Sequence, residues 1–266
     1  MASILISVIV GFCIGIFSGL LGIGGGTLLV PTLRLGFGLS AIQSTATSLF
    51  AIVPTSIAGA ITHIKNKTCI PAIGLICGIS GAFSSPLGVY LASISPGLAL
   101  MIVAGIIIVY SAVNMLRKAL AMSPAKLTAV VDTVSTDNMH LELSKSNVFR
   151  AMLIGLLAGF FSGYVGVGGG FIMVPLFVTL LNVNMKKASG TSLIAVCILS
   201  IPGVVEQALL GNISYIAGIS LALGCIPGAI VGARLIKSIP EKTLRFTFAG
   251  FLLIAAIALL VNEFLA

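Results

Sequence analysis

A 23-residue segment occurs twice in this chain, and the duplication constrains the fold more than any other feature. Residues 11–33 read GFCIGIFSGLLGIGGGTLLVPTL and residues 155–177 read GLLAGFFSGYVGVGGGFIMVPLF, with 11 identical positions and no gap. Composition alone would give about two or three identities in so glycine-rich and apolar a stretch. The same offset of 144 residues relates the Thr-Ser-Leu at 47–49 to the one at 191–193. The chain is therefore predicted to consist of two homologous repeats.

The composition is that of an integral membrane protein. Apolar residues make up 58% of the chain and charged residues 8%, whereas soluble domains have roughly 45–50% and about 25%. The net charge of +8 comes from bases in the short connections between apolar runs, where bases act as topology signals. We therefore expect the lipid bilayer as surroundings and no nucleic-acid partner.

The apolar runs define an all-α architecture. Six runs reach the about 20 residues that a membrane helix needs: approximately residues 40–62, 69–93, 97–119, 185–208, 213–236 and 241–262. Two further segments, 4–35 and 148–181, are too long for one span and too short for two, and glycines interrupt each in the middle. The polar residues 120–147 form a linker. The prediction is a first membrane repeat at 1–119, a cytoplasmic linker at 120–147 and a second membrane repeat at 148–266.

The positions of the basic residues favour one course for the glycine-broken segments. If each broken segment crosses the membrane once, the 14 Lys and Arg residues divide seven to seven between the two sides. If each enters and returns to its own side, 13 of them share one side and Arg34 alone lies on the other. The second arrangement gives a strong positive-inside signal. It predicts inverted repeats, each with a re-entrant segment plus three transmembrane helices, with the basic side in the cytoplasm and both termini outside.

The glycine breaks are the main candidate site. Irregular backbone within a membrane is tolerated only where it is buried in protein or lines a cavity. Glycine permits sharp turns and close approach to main-chain N–H groups, and a helix that restarts after the break offers unpaired N–H donors with a partial positive charge. We therefore predict an anion site. Its backbone residues are Gly22, Gly24, Gly25, Gly26 and Thr27, with Gly166, Gly168, Gly169 and Gly170 in the second repeat. The alternative is that these glycines only permit close helix packing.

A cluster of hydroxyl residues lies early in the next helix of each repeat. Thr47 and Ser48 match Thr191 and Ser192, and they lie deep enough to meet the glycine break. Their hydroxyls could donate hydrogen bonds to an anion. The alternative is a bond to the carbonyl four residues earlier in the same helix, which is common for Ser and Thr in membrane helices.

Few titratable residues fall inside the apolar runs. His63 and Glu206 lie near the ends of two spans at adjacent repeat positions, and an intramembrane acid or histidine is a candidate for proton coupling. The alternative is that both are simply solvated near the membrane surface. The two histidines form no cluster with Cys, Asp or Glu that would bind a metal, and no phosphate-binding loop is present. We expect no enzyme activity, no catalytic residues, no metal and no cofactor.

The doubled G-x-GGG, followed by a short apolar stretch and Pro, with a Thr-Ser-Leu element and a polar central loop, resembles the sulfite exporter TauE/SafE family of bacterial membrane transporters. The resemblance covers essentially the whole chain. It implies a secondary transporter for a small sulfur-containing or related organic anion, such as sulfite, sulfoacetate or another sulfonate. It places the site at 22–27 with Thr47 and Ser48, and at 166–171 with Thr191 and Ser192. A passive channel for anions or small solutes is the alternative function.

Overall fold

The computed structural model describes residues 2–120 and 145–265, and within them it is all-helical. The ten helices of these residues are α1 (Ala2–Leu21), α2 (Gly26–Phe37), α3 (Ala41–Lys65), α4 (Pro71–Ile94), α5 (Gly97–Leu120), α6 (Lys145–Val165), α7 (Gly170–Leu180), α8 (Met185–Leu209), α9 (Tyr215–Leu235) and α10 (Glu241–Leu265). The predicted linker at 120–147 falls almost wholly outside the described residues. The helices on either side of it can be compared one by one.

Each helix of the first half has a counterpart about 144 residues later. The helices α2 and α3 begin at Gly26 and Ala41, and α7 and α8 begin at Gly170 and Met185. Both over-long segments are broken where the sequence predicts, because α1 ends at Leu21 before the first glycine cluster and α6 ends at Val165 before the second.

Six helices in the described residues are long and apolar enough to cross a membrane, and they are α3, α4, α5, α6, α8 and α9. Five coincide with predicted runs. The sixth, α6, was predicted only as the first part of a broken segment, and it is long because the helix already begins at Lys145 in polar sequence. The predicted run 241–262 is helical as α10 but is not one of these six.

The first helix of each half packs mainly against the other half. Along α1, Gly11, Gly15 and Gly19 lie against the backbone of Leu221, Cys225 and Ala229 in α9. Along α6, Gly155, Gly159 and Gly163 lie in the same way against Cys77, Gly81 and Ser85 in α4. Small residues at every fourth position let helix backbones approach closely in a membrane. In both pairs the residue numbers rise together, so the two helices of each pair run in the same direction.

The central helices define two opposite directions. Gly59 of α3 lies against Leu193 of α8, and Gly203 of α8 lies near Leu49 of α3, so α3 and α8 are antiparallel. Gly218 of α9 packs on Phe50, and Gly59 approaches Ala229, so α3 and α9 are parallel. By the same reasoning α4 runs with α8, since Gly74 and Gly78 pack on Ile194 and Ile198. Thus α1, α3 and α9 run one way, and α4, α6 and α8 run the other.

The directions of these helices bring basic residues to one end of the bundle. Lys65 ends α3, Arg234 lies in the last turn of α9, and Lys186 lies in the first turn of the antiparallel α8. The ammonium group of Lys186 donates to the carbonyl oxygen of Lys237 at 2.9 Å, and the side-chain amide of Asn66 donates to that of Ala233 at 3.1 Å. The bond from Lys186 lies within the second half, and the bond from Asn66 connects the two halves at the basic end.

Candidate functional site

The two glycine breaks lie against each other at the centre of the protein. Gly26 packs on the backbone of Val167, and Gly170 packs on the backbone of Gly22 and Ile23. A Cβ atom at Gly24 would lie 3.2 Å from a methyl carbon of Ile52 and one at Gly168 would lie 3.5 Å from a methyl carbon of Val196. Both glycines therefore pack between α3 and α8, and the two breaks are neighbours rather than separate features.

A new helix begins at each break without a side-chain cap. The N-cap residues Gly25 and Gly169 have φ values of +86° and +68°, which L side chains adopt only with strain. Neither α2 nor α7 has a side chain that accepts a hydrogen bond from its first turn. The first N–H groups of a helix carry partial positive charge and have no partner within the helix. Each break therefore presents the start of a helix whose first N–H groups have no side-chain cap.

Both breaks are shielded from solvent. Every residue from 18 to 27 and from 162 to 171 is buried. The burial comes from the opposite half as well as from the helices that flank each break, since Gly22 packs on Ser189 and Gly166 packs on Thr45. Access to the helix termini therefore requires the helices around the breaks to move apart.

The hydroxyls of Thr47 and Thr191 connect the two halves. The oxygen of Thr191 accepts from the backbone N–H of Ile70 at 2.9 Å, and that of Thr47 accepts from Ser214 at 2.9 Å. Thr191 also donates to the carbonyl of Lys187, four residues earlier, at 2.6 Å. The proton of Thr47 has no acceptor among the described residues. Thr191 thus donates to a carbonyl of its own helix, which is the alternative given in the sequence analysis. The hydroxyl proton of Thr47 is not donated to any described residue.

The matched serines also differ from each other. Ser192 donates to the carbonyl oxygen of Gly22 at 2.6 Å and lies 2.8 Å from that of Ser189. Ser48 is equally buried, but its hydroxyl makes no hydrogen bond to any described residue. A buried hydroxyl without a partner costs about 1–3 kcal/mol relative to a satisfied one. The first break is thus held by a hydroxyl of the opposite half, and the second break lacks the matching bond.

Two serines beside the breaks do not appear among the residues predicted from sequence. Ser18 and Ser162 occupy equivalent positions near the ends of α1 and α6, both are fully buried, and neither hydroxyl has a partner in the described part of the chain. The hydroxyl of Thr27 in the first turn of α2 is also buried without a partner. A signal for the serines was present, since the repeat contains Phe-Ser-Gly at 17–19 and at 161–163.

The two candidates for proton coupling, His63 and Glu206, differ in their surroundings. His63 is fully buried: its Nε2 lies 2.8 Å from the carbonyl oxygen of Gly19, and its Nδ1 lies 2.8 Å from the hydroxyl of Thr68. It therefore contacts α1 only three residues before the first break and is not solvated. Gln207, at the matched position in α8, is also buried and accepts from Asn212. Glu206 is half-buried, and one of its carboxylate oxygens is buried without a partner among the described residues.

The remaining polar chemistry is sparse. Within residues 2–120 and 145–265, no three His, Cys, Asp or Glu side chains lie close enough together to hold a metal ion. The five cysteines are free thiols. The groups gathered at the centre are thus backbone N–H groups and neutral hydroxyls.

A protein-family model matches most of the chain. The model of the family described as "Sulfite exporter TauE/SafE" matches residues 7–259. The chain belongs to the TauE/SafE family. That match spans both glycine breaks and both sets of central helices, so the family assignment covers the whole candidate site. The chain is accordingly a multi-pass membrane protein of a transporter family.

Relatives of this TauE/SafE protein occur in bacteria and archaea. It is similar to "Probable membrane transporter protein YdhB" of Bacillus subtilis, with 28% identity over 90% of this chain and 92% of that protein. It is similar to "Probable membrane transporter protein MJ0441" of Methanocaldococcus jannaschii, with 26% identity over 92% and 91%. A "Probable membrane transporter protein" of Haemophilus influenzae is 28% identical over 96% and 97%. No solved structure matches the chain significantly.

Proposed function

We propose that this TauE/SafE protein is a secondary transporter that moves a small sulfur-containing or organic anion across the membrane. Sulfite, sulfoacetate and other sulfonates are the substrate candidates. The observation that carries the proposal is the contact between two uncapped helix N-termini at the glycine breaks, beside Ile52 and Val196. Each terminus supplies roughly half an elementary positive charge. An anion there would be held without a Lys or Arg side chain.

The substrate site would comprise the backbone of both breaks and the hydroxyls of the following helices. Its residues are Gly22, Gly24, Gly25, Gly26, Thr27, Thr47, Ser48, Gly166, Gly168, Gly169, Gly170, Thr191 and Ser192. Support comes from the burial of every residue in both breaks and from the free hydroxyls of Thr27 and Ser48. Neutral donors in a buried site would bind an anion without leaving a buried charge when the anion departs.

The proposed architecture is a pair of inverted repeats with re-entrant breaks. It is supported by the opposite directions of α1 and α6, which follow from their parallel packing on α9 and α4. Since α1 and α3 run the same way, α2 would return the chain toward the side where α1 begins. Inverted repeats place a site at the bilayer midplane in many transporters. The basic end of the bundle would then face the cytoplasm, with both termini outside.

The closed packing of the breaks favours a transporter over a passive channel. A channel needs a continuous path, whereas both breaks are buried against the opposite half at 18–27 and 162–171. In alternating access, one bundle of helices moves against the other and opens a central site to one side of the membrane at a time. Proton coupling through His63 or Glu206 is part of the proposal.

Flux measurements in proteoliposomes test the proposal. Purified protein is reconstituted and given sulfite, sulfoacetate, methanesulfonate and sulfate in turn, with and without an imposed pH gradient. We expect saturable flux of at least one of these anions that responds to the gradient. Flux that rises linearly with concentration and ignores the gradient would indicate a channel, and no flux of any of the four would contradict anion transport.

A further inference from the structure

The two glycine breaks differ in what faces their helix termini. A Cβ atom built on Gly25 would lie 3.6 Å from the hydroxyl oxygen of Ser18 and 3.3 Å from a methyl carbon of Ile14. At the matched position, a Cβ atom on Gly169 would lie 2.9 Å from the carbonyl oxygen of Ala158. A hydroxyl can donate to an anion, whereas a carbonyl oxygen only accepts hydrogen bonds and repels negative charge. The N-cap of α2 thus lies close to a hydroxyl, whereas the nearest atom to the N-cap position of α7 is a carbonyl oxygen.

The first turns of α2 and α7 also differ in the hydrogen-bond donors that they leave free. Thr27, the second residue of α2, carries a buried hydroxyl with no partner in the described chain, whereas its counterpart in α7 is the fully buried Phe171. The N–H of Gly170 donates within its own loop to the carbonyl of Gly168 at 2.8 Å. The described residues include no corresponding bond from Gly26 to Gly24. The first turn of α2 therefore keeps a donor that α7 has already used.

We propose that the charged group of the transported anion binds at the first break alone, on the N-terminus of α2, with Ser18 as a ligand that donates its hydroxyl proton. This inference rests on the proposed transport function and extends its site by one residue. Ser18 is fully buried, its hydroxyl oxygen lies 3.6 Å from the Cβ position of the N-cap Gly25, and it has no partner among the described residues. An anion oxygen bound there would satisfy that hydroxyl. The second break meets this site through the backbone of Val167, which packs on Gly26.

Ser162 is the matched control for Ser18. It lies at the equivalent repeat position, is equally buried and also has no partner among the described residues, so removing either hydroxyl should affect folding alike. Ser18→Ala and Ser162→Ala are each compared with the wild type. Binding of sulfite and of methanesulfonate to the full-length protein is measured by calorimetry in detergent, and the thermal unfolding midpoint is measured for each variant.

We expect Ser18→Ala and Ser162→Ala to weaken anion binding unequally. A hydrogen bond to a charged group contributes about 1.5–3 kcal/mol, so Ser18→Ala should raise the dissociation constant by about 10- to 100-fold. The factor should be similar for both probes because Ser18 contacts the charged group that they share. Ser162→Ala should change it by less than about 3-fold, and Ser18→Thr, which keeps the hydroxyl, should bind more tightly than Ser18→Ala.

Three results would overturn the inference. Equal weakening by Ser18→Ala and Ser162→Ala would mean that the anion uses both breaks alike. Unchanged binding in Ser18→Ala would remove Ser18 from the site, although flux in the wild type would leave the proposed transport function standing. Absence of both binding and flux in the wild type, for every anion of the panel, would refute the transport function and this inference together.

Discussion

The hydroxyl of Ser192 in α8 donates to the carbonyl oxygen of Gly22 at 2.6 Å, across the contact between the two halves of the protein. It fixes the first glycine break to a helix that lies 170 residues away in the chain. The serine at the matched position, Ser48, makes no such bond within the described residues. This pair allows the contribution of one hydrogen bond to be measured against a built-in control.

Ser192→Ala should lower the stability of the protein, because it leaves the buried carbonyl of Gly22 without its hydroxyl donor. The expected loss is about 1–3 kcal/mol. Ser48→Ala removes a buried hydroxyl that has no partner among the described residues, so it should leave stability unchanged or raise it by up to about 3 kcal/mol. Thermal unfolding in detergent, followed by circular dichroism, measures both. Equal losses in the two variants would contradict the assigned hydrogen bond.

Gly25→Leu and Gly169→Leu should each abolish anion flux while the protein still reaches the membrane. Both residues have positive φ, so a side chain at either position would strain the turn. At Gly25 it would also cover the helix terminus proposed to bind the anion. Gly36→Leu is the control, because it lies in the same helix as Gly26 with nothing within 4 Å of the added Cβ. Flux and membrane abundance are measured together. Normal flux in both Leu variants would mean that these glycines serve only for helix packing.

Thr47→Val should weaken anion binding more than Thr191→Val. The proton of Thr191 is already donated to Lys187, whereas that of Thr47 has no acceptor in the described chain. We expect a loss of about 0.5–1.5 kcal/mol for a neutral bond and up to roughly 3 for a bond to the charge. Each Val variant also loses the hydrogen bond that the hydroxyl oxygen accepts from a backbone N–H group. The corresponding Thr→Ser variants keep the hydroxyl and therefore serve as controls. Unchanged affinity in both Val variants would remove these hydroxyls from the site.

Residue 2 and residue 135 should label from opposite sides of the membrane. The reason is the concentration of 13 bases on one predicted side and Arg34 on the other, with the cytoplasm on the basic side. Single cysteines at these positions in a cysteine-free background are treated with a membrane-impermeant maleimide on intact cells. Residue 2 should react and residue 135 should not. Labelling of both from one side would rule out the inverted arrangement.

His63→Gln tests proton coupling with a residue that the protein itself uses at the equivalent position 207. The amide can still donate to the carbonyl of Gly19, so the contact with α1 should survive. If His63 carries the coupled proton, flux in this variant should no longer respond to an imposed pH gradient. Glu206→Gln is examined in parallel. An unchanged response in both variants would exclude these two residues as the coupling site.

The amino-acid sequence predicts where the helices lie better than it predicts the contacts between them. Helix ends at Leu21 and Val165 follow from glycine clusters that no helix accommodates easily, and the duplication shows those clusters twice. Local sequence carries no information on which helix a surface meets. The pairing of α1 with α9, the bond between Thr47 and Ser214, and the partner of Ser192 all join residues more than 160 positions apart. These contacts could not be predicted without the fold.

The free serines illustrate a different limit. Ser18 and Ser162 lie inside the repeated motif, but a serine in an apolar helix is most often bonded to its own backbone. Only the absence of a hydrogen-bond partner among the described residues distinguishes these two hydroxyls from that common case. The asymmetry between the breaks is likewise invisible in the glycines themselves, which are identical in both copies.

The glycine-lined pairing of α1 with α9 and of α6 with α4 has a consequence for biosynthesis. During synthesis, α1 enters the membrane long before its partner exists, because α9 begins only at Tyr215. The glycine face of α1 must therefore contact lipid, or a chaperoning surface of the insertion machinery, until nearly the whole chain has been made. A chain that stops before Tyr215 lacks α9 and therefore leaves the glycine face of α1 without its partner helix.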